Sequence, residues 1–158
     1  MTQQLDKFTR GYIEAALWSS TAYGSLQEQL DDPPNAEGQH RGTFNSSFQH
    51  LNYDESDLSP ELLAHIIEDC AAFQRDQAED LELAYARYSH ASEWTHEEQA
   101  GHDFWLTRNG HGAGFWGRGL GDVGERLSKA VRVYGEENWY VDRTGMADDD
   151  EAGVIRVW

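Results

Sequence analysis

The segment "SPELLAHIIEDCAAFQRDQAEDLELAYARYS", residues 59–89, narrows most sharply what this chain can fold into. Leu62, Leu63, Ile66, Ile67, Cys70 and Phe73 recur at three- and four-residue intervals. That spacing puts them on one face of an α-helix turning about 100° per residue. Leu81, Ala84, Tyr85 and Tyr88 continue the stripe in phase. Ser59 is a favourable N-cap, Pro60 suits the first helical position, and Glu61 complements the helix dipole. The pattern predicts either one helix running to about Tyr88 or a helix that breaks near Asp80.

The same periodicity predicts three more helices. In "LDKFTRGYIEAALWSS", Leu5, Phe8, Tyr12, Ala16 and Leu17 share a face, giving a helix from about Gln3 to Ser19. Gly11 inside it costs about 1 kcal/mol relative to Ala, which close packing against another element would explain. "THEEQAGHDFWLTRNG" opens with the Thr95/Glu98 capping-box spacing, stops at Asn109-Gly110, and offers Phe104 to the core. "GDVGERLSKAVRVYG" aligns Val123, Leu127, Ala130, Val131 and Tyr134 and ends at Gly135. Residues 138–142 and 153–158 are β-rich runs flanking an acidic connection, the pattern of a β-hairpin. Phe115-Trp116 is a candidate third strand. The expected fold is α+β, about four helices packed with a small C-terminal antiparallel hairpin or sheet.

Residues 1–158 suffice for a single domain. Residues 20–58 lose the periodicity, and "DDPPNAEGQHRG" is turn-rich. Residues 24–48 are therefore expected to form a mobile surface loop. No stretch of about 18 apolar residues is present, so no membrane span is expected. The polar start lacks the pattern of a secretory signal, and Cys70 is the one cysteine, so a reducing cytoplasm is the expected setting. Cys70 sits on the apolar stripe, as a core residue does.

Charge restricts function. Asp and Glu total 29 against 12 Lys and Arg, a net charge of −17. Such a chain repels phosphates and is not expected to bind nucleic acid directly; it suits basic partners. On the helical wheel Glu61, Glu68, Asp69, Asp76, Glu79 and Glu82 gather opposite the apolar stripe, with Arg75 among them. Glu61, Glu68 and Asp76 fall roughly 10–12 Å apart along the axis. The acidity also fits high-salt adaptation or plain solubility.

The stretch "GHDFWLTRNGHGAGFWGRGLG", residues 101–121, is the other candidate site. His102, Asp103, Arg108, Asn109 and His111 cluster there among glycines. His102-Asp103 resembles the pair used by metal-dependent phosphohydrolases, but the further ligands are missing. Glu98, not a histidine, stands four residues before His102, so there is no i,i+4 His pair. The glycines lack both a Walker lysine and a preceding strand. A structural turn, with glycines letting Phe115 and Trp116 sink beneath the backbone, is the preferred reading. The "DDDE" run at 148–151 lacks the alternation of a calcium loop and reads as a solvated hairpin tip. No metal and no cofactor are expected.

"FTRGYIEAALWSS" and "AGHDFWLTRNGHGAGFWGRGLGDVGERLSKAVRVYG", followed by "WYV", resemble a family of small proteins encoded by tailed bacteriophages and related mobile elements. The resemblance brings no established activity. It implies a phage-like accessory protein acting in the cytoplasm of a bacterial host. Joined to the charge, it suggests a non-enzymatic inhibitor of a basic nucleic-acid-binding defence protein, a DNA mimic of the anti-restriction or anti-CRISPR type. Two alternatives are a small enzyme or ligand binder using the 102–111 cluster, and a structural or oligomerising phage protein with incidental acidity.

Overall fold

The computed structural model of the chain describes residues 4–20, 48, 53–89, 93–110, 113–142 and 153–157. Within them lie five α-helices and two strands: α1 (Lys7–Ser19), α2 (Pro60–Asp76), α3 (Ala78–Arg87), α4 (His96–Asn109), α5 (Asp122–Arg132), β1 (Trp139–Asp142) and β2 (Val154–Val157). The α+β class read from the sequence is the class of the structure. The residues group into two compact units. One contains residues 1–16 and 64–136, the other 17–63 and 137–158.

The long apolar stripe is divided between two helices. The turn falls at Gln77, three residues before the expected break near Asp80, where the backbone leaves helical angles (φ −111°, ψ 22°). The hydrogen-bond ladder nevertheless runs through the turn, from Gln77 N–H to Phe73 O and from Leu81 N–H to Gln77 O, each 2.9 Å. The stripe therefore keeps its phase, with Leu62, Ile66, Cys70, Phe73, Leu81 and Ala84 all buried. Helix α1 begins at Lys7 rather than Gln3, because Asp6 ends the extended approach by accepting from Thr9 N–H at 2.8 Å.

In the first unit the core is aromatic and centred on Phe104. Its ring stacks on Phe73 with centroids 4.3 Å apart. Phe8, Tyr12 and Tyr134 surround it at 5.9, 5.3 and 5.2 Å. Helix α4 is buried on nearly every side: Gln99 through Leu106, and Arg108, are all inaccessible. It is the central helix of this unit. Thr95 accepts from Glu98 N–H at 3.1 Å, and its hydroxyl donates to the Glu98 carboxylate at 3.0 Å, so the cap closes through side chains. Gly110 ends the helix in the left-handed region.

Helices α1 and α4 touch backbone to backbone. A Cβ at Gly11 would overlap the Glu98 carbonyl oxygen, and one at Gly101 would overlap that of Phe8. The Gly11 that lowers helix propensity is thus explained by the close approach its missing side chain permits.

Phe115-Trp116 does not form a third strand. The pair lies in a 3₁₀ turn, Phe115–Gly117, entered through Gly114 at φ 150°. Positive φ at Gly114, Gly119 and Gly121 turns the chain too often for extended pairing. Phe115 is fully buried and packs on Phe73 at 6.0 Å, as the turn reading required. Trp116, expected beneath the backbone as well, is 48% exposed. Ala130 and Tyr134, expected on the α5 core face, are half-buried.

In the second unit β1 and β2 pair antiparallel, Trp139 opposite Val157 and Val141 opposite Ile155. Trp139, Val141 and Ile155 are buried, as strand alternation requires. Leu58 adds a parallel bridge to Ile155, and Ser59 N–H donates to Ile155 O at 2.9 Å. Ser59 then caps α2, accepting from Leu62 N–H at 3.1 Å. The predicted mobile loop, 24–48, lies outside the described residues except at Phe48. That residue is buried against the rings of Tyr53 and Trp139. The "DDDE" run lies outside the described residues as well.

Candidate functional site

Two sets of residues were candidates, and the fold treats them differently. In the second unit Glu61 is exposed and lies 3.7 Å from Arg156, which also pairs with Asp142 across the strands at 2.7 Å. In the first unit Glu68, Asp76, Glu79 and Glu82 are exposed. Arg75, the counter-charge read from the wheel, pairs with Asp76 at 3.2 Å. Asp69 departs from this set. Its side chain is 17% exposed and receives Arg108 at 2.8 Å and His65 at 3.3 Å. A helical wheel assigns Asp69 to the outer face because it carries no information about Arg108, 39 residues away.

The 102–111 cluster does not converge on one point. Asp103 is fully buried and accepts from Tyr88 Oη at 2.8 Å and Gln99 Nε2 at 3.3 Å. Arg118 adds Nε at 3.0 Å and Nη2 at 2.9 Å. Burial raises the Asp103 carboxyl above its ordinary pKa, opposed by Arg118 and by the Tyr88 and Gln99 hydrogen bonds. Tyr88 is raised by burial and by the Asp103 charge.

Arg108 belongs to a separate network, binding Asp69, Tyr12 Oη and the carbonyls of Tyr134 and Gly135. Asn109 donates back to Trp105 O at 3.1 Å. His111 lies outside the described residues. The polar residues of α4 thus serve as two internal ionic anchors on different partners. Their partners Tyr88, Gln99, Arg118, Tyr12 and Asp69 were not read as members of the cluster. Of these, the Gln99–Asp103 pair, one helical turn apart, carried a signal readable in advance.

His102 engages neither anchor. It is 5% exposed, its Nε2 has no hydrogen-bond partner, and the nearest carboxylate, Glu14 Oε2, lies 3.9 Å away. The Trp94 ring stands 4.6 Å from the imidazole. Burial, reinforced by the positive charge of Arg118, lowers the His102 pKa to about 4. Glu14 would favour the imidazolium, but desolvation outweighs it. The unfolded chain therefore takes up this proton first, near its ordinary value of 6.5, and the folded chain only near 4. Stability from this group is full above pH 6.5 and falls as pH drops towards 4, by up to roughly 3 kcal/mol. Proton NMR of the imidazole, alongside urea midpoints across that window, checks the sign. An ordinary midpoint near 6.5 with flat stability would contradict it.

No helix among the described residues is long and apolar enough to cross a membrane. No protein-family model, curated protein or solved structure matches the chain.

Proposed function

We propose that the chain binds, through exposed carboxylates, a basic protein whose own ligand is nucleic acid. It acts there as a non-enzymatic, DNA-mimicking inhibitor of the anti-restriction or anti-CRISPR type, in a bacterial cytoplasm. One observation carries this reading. Among the described residues many of the arginines are engaged by carboxylates, two of the pairs, Arg108 with Asp69 and Arg118 with Asp103, reaching into the fold, while several carboxylates are displayed. Arg87 pairs with Asp122, Arg108 with Asp69, Arg118 with Asp103, and Arg126 with Asp80 and Asp122. Glu68, Asp76, Glu79 and Glu82 stay exposed along α2 and α3. With a net charge of −17, the outward field is strongly negative. The sequence resemblance to phage-encoded proteins supplies the biological context.

The test is a pull-down from bacterial lysate at graded salt, repeated with Glu68, Asp76, Glu79 and Glu82 all changed to Lys. Asp69 is kept native, because reversing it would break the Arg108 anchor. Each exposed charge contributes a few tenths to about 1 kcal/mol. Together the four reversals should weaken capture of a basic, nucleic-acid-binding partner by about tenfold or more. Rising salt should release that partner from the native chain. Capture unchanged by both reversal and salt would reject the reading.

A further inference from the structure

Beside the helix contact made through Gly11 and Gly101 lies a buried titratable nitrogen without a hydrogen-bond partner, Nε2 of His102. The nearest carboxylate is Glu14 Oε2 on α1, 3.9 Å away and beyond hydrogen-bonding distance. No other described element brings a carboxylate within ion-pair distance of the imidazole. Arg118, in the turn before α5, acts on it with a positive charge. On α4 itself Glu98 stands one turn earlier and acts on Glu14, while Asp103 is committed to Tyr88, Gln99 and Arg118. We propose that His102 is a proton-operated release for α1: when the imidazole takes up a proton, residues 7–16 leave α4 while the rest of the first unit stays folded.

The docked site cannot accommodate the charged form. An imidazolium there is a buried cationic donor with no acceptor in reach, which costs more than the neutral ring left unpaired. Glu14 does not supply the missing charge. Its carboxyl is raised by burial and then by the charge of Glu98, so it takes up its own proton as acidity rises. Water is the remaining acceptor. With the backbones touching at Gly11 and Gly101, no water fits into that contact while the helices are docked. Hydration of Nε2 therefore requires α1, the helix that carries Glu14, to move away.

The anchors of α4 make this departure local. Asp103 binds Tyr88 and Arg118, and Arg108 binds Asp69 and the carbonyls of Tyr134 and Gly135, none of them on α1. Helix α1 shares in these anchors through Tyr12 Oη, 3.0 Å from Arg108 Nη1. Arg108 keeps its carboxylate and both carbonyls when that hydroxyl leaves. The buried rings of Phe8 and Tyr12 oppose the departure, so the docked state prevails while His102 is neutral.

Hydrogen exchange of the full chain, followed by mass spectrometry at pH 7.5 and pH 5 and corrected for intrinsic rates, tests the proposal. The docked imidazole titrates near 4 and the released one near 6.5. Acidification to pH 5 should therefore raise the opening of amides in residues 7–16 about 30-fold. Amides of α2 and α5, which still require global unfolding, should exchange at least roughly tenfold more slowly than those of α1. His102→Gln, which takes up no proton, should cut the acid response to less than about threefold, whatever its stability at pH 7.5. The proposal is overturned if α1, α2 and α5 open together, or if His102→Gln responds as the native chain does. Unchanged or greater protection of α1 at pH 5 would also overturn it, the latter by showing that Glu14 closes on the imidazolium.

Discussion

Arg108→Ala is expected to destabilise the first unit by about 3–5 kcal/mol, the range for removing one partner of a buried ion pair. The Arg108 side chain is 5% exposed. Its Nε donates to Gly135 O at 2.7 Å, its Nη2 to Tyr134 O at 3.1 Å, and its Nη1 to Tyr12 Oη at 3.0 Å and Asp69 Oδ2 at 2.8 Å. Truncation leaves the largely buried Asp69 carboxylate without its guanidinium partner, and strips two backbone carbonyls of this donor. It also removes the cation from the Tyr134 ring, 5.7 Å from its centroid. Arg108→Lys should recover little, because a single ammonium cannot reproduce a planar fork serving four acceptors. Urea unfolding at constant slope gives the measurement. A loss below about 1 kcal/mol would show that the anchor is dispensable.

Gly101→Ala is expected to lower stability by about 3 kcal/mol or more, the upper end of the range for overpacking. In an ordinary helix interior the same change stabilises by roughly 0.5–1 kcal/mol. Here the added methyl overlaps Phe8 O and lies 2.8 Å from Tyr12 N. These are backbone atoms, so no side-chain rotation relieves the clash. The two helices must separate, and separation exposes Phe8 and Tyr12, both fully buried, and opens the Phe8–Phe104 contact. For a chain of this size 1 kcal/mol moves the melting temperature by about 2–4 °C. A fall of roughly 6–12 °C is therefore expected by calorimetry. Gly11→Ala, which meets Glu98 O, should behave alike. An increase in melting temperature in either variant would refute the close contact.

The helices and the hairpin were legible because each writes its own period into the sequence. The turn at Gln77 was not placed correctly because it interrupts neither the hydrogen bonds nor the apolar phase. Phe115-Trp116 looked like a strand because aromatic residues favour strands. The positive φ of the neighbouring glycines, which forbids one, is a property of the folded backbone. Residues 102–109 were legible as polar chemistry but not as an arrangement. Asp103 and Arg108 are drawn to opposite networks by Arg118 and Asp69, whose positions only tertiary packing determines. Of α4, Phe104 alone was assigned to the core. Burial on nearly every side takes in Gln99, His102, Asp103 and Arg108 along with the apolar residues, so no face is set apart by polarity and the periodic signal is weak.

The α1–α4 contact has a consequence for the order in which the chain can acquire structure. Tyr12 and Arg108 are 96 residues apart, and Asp6 waits for Gln74, 68 residues on. Ribosomes add about 5–20 residues per second. For several seconds, then, the apolar face of α1 exists as nascent chain with none of its α4 partners yet made. Its docking must follow the emergence of α4. Because glycine meets backbone at both ends of the contact, a shifted register would drive Tyr12 or His102 into a space that admits only hydrogen. Helix α1 thus joins the first unit late and in a single step, and premature partners from other nascent chains are the hazard it must avoid.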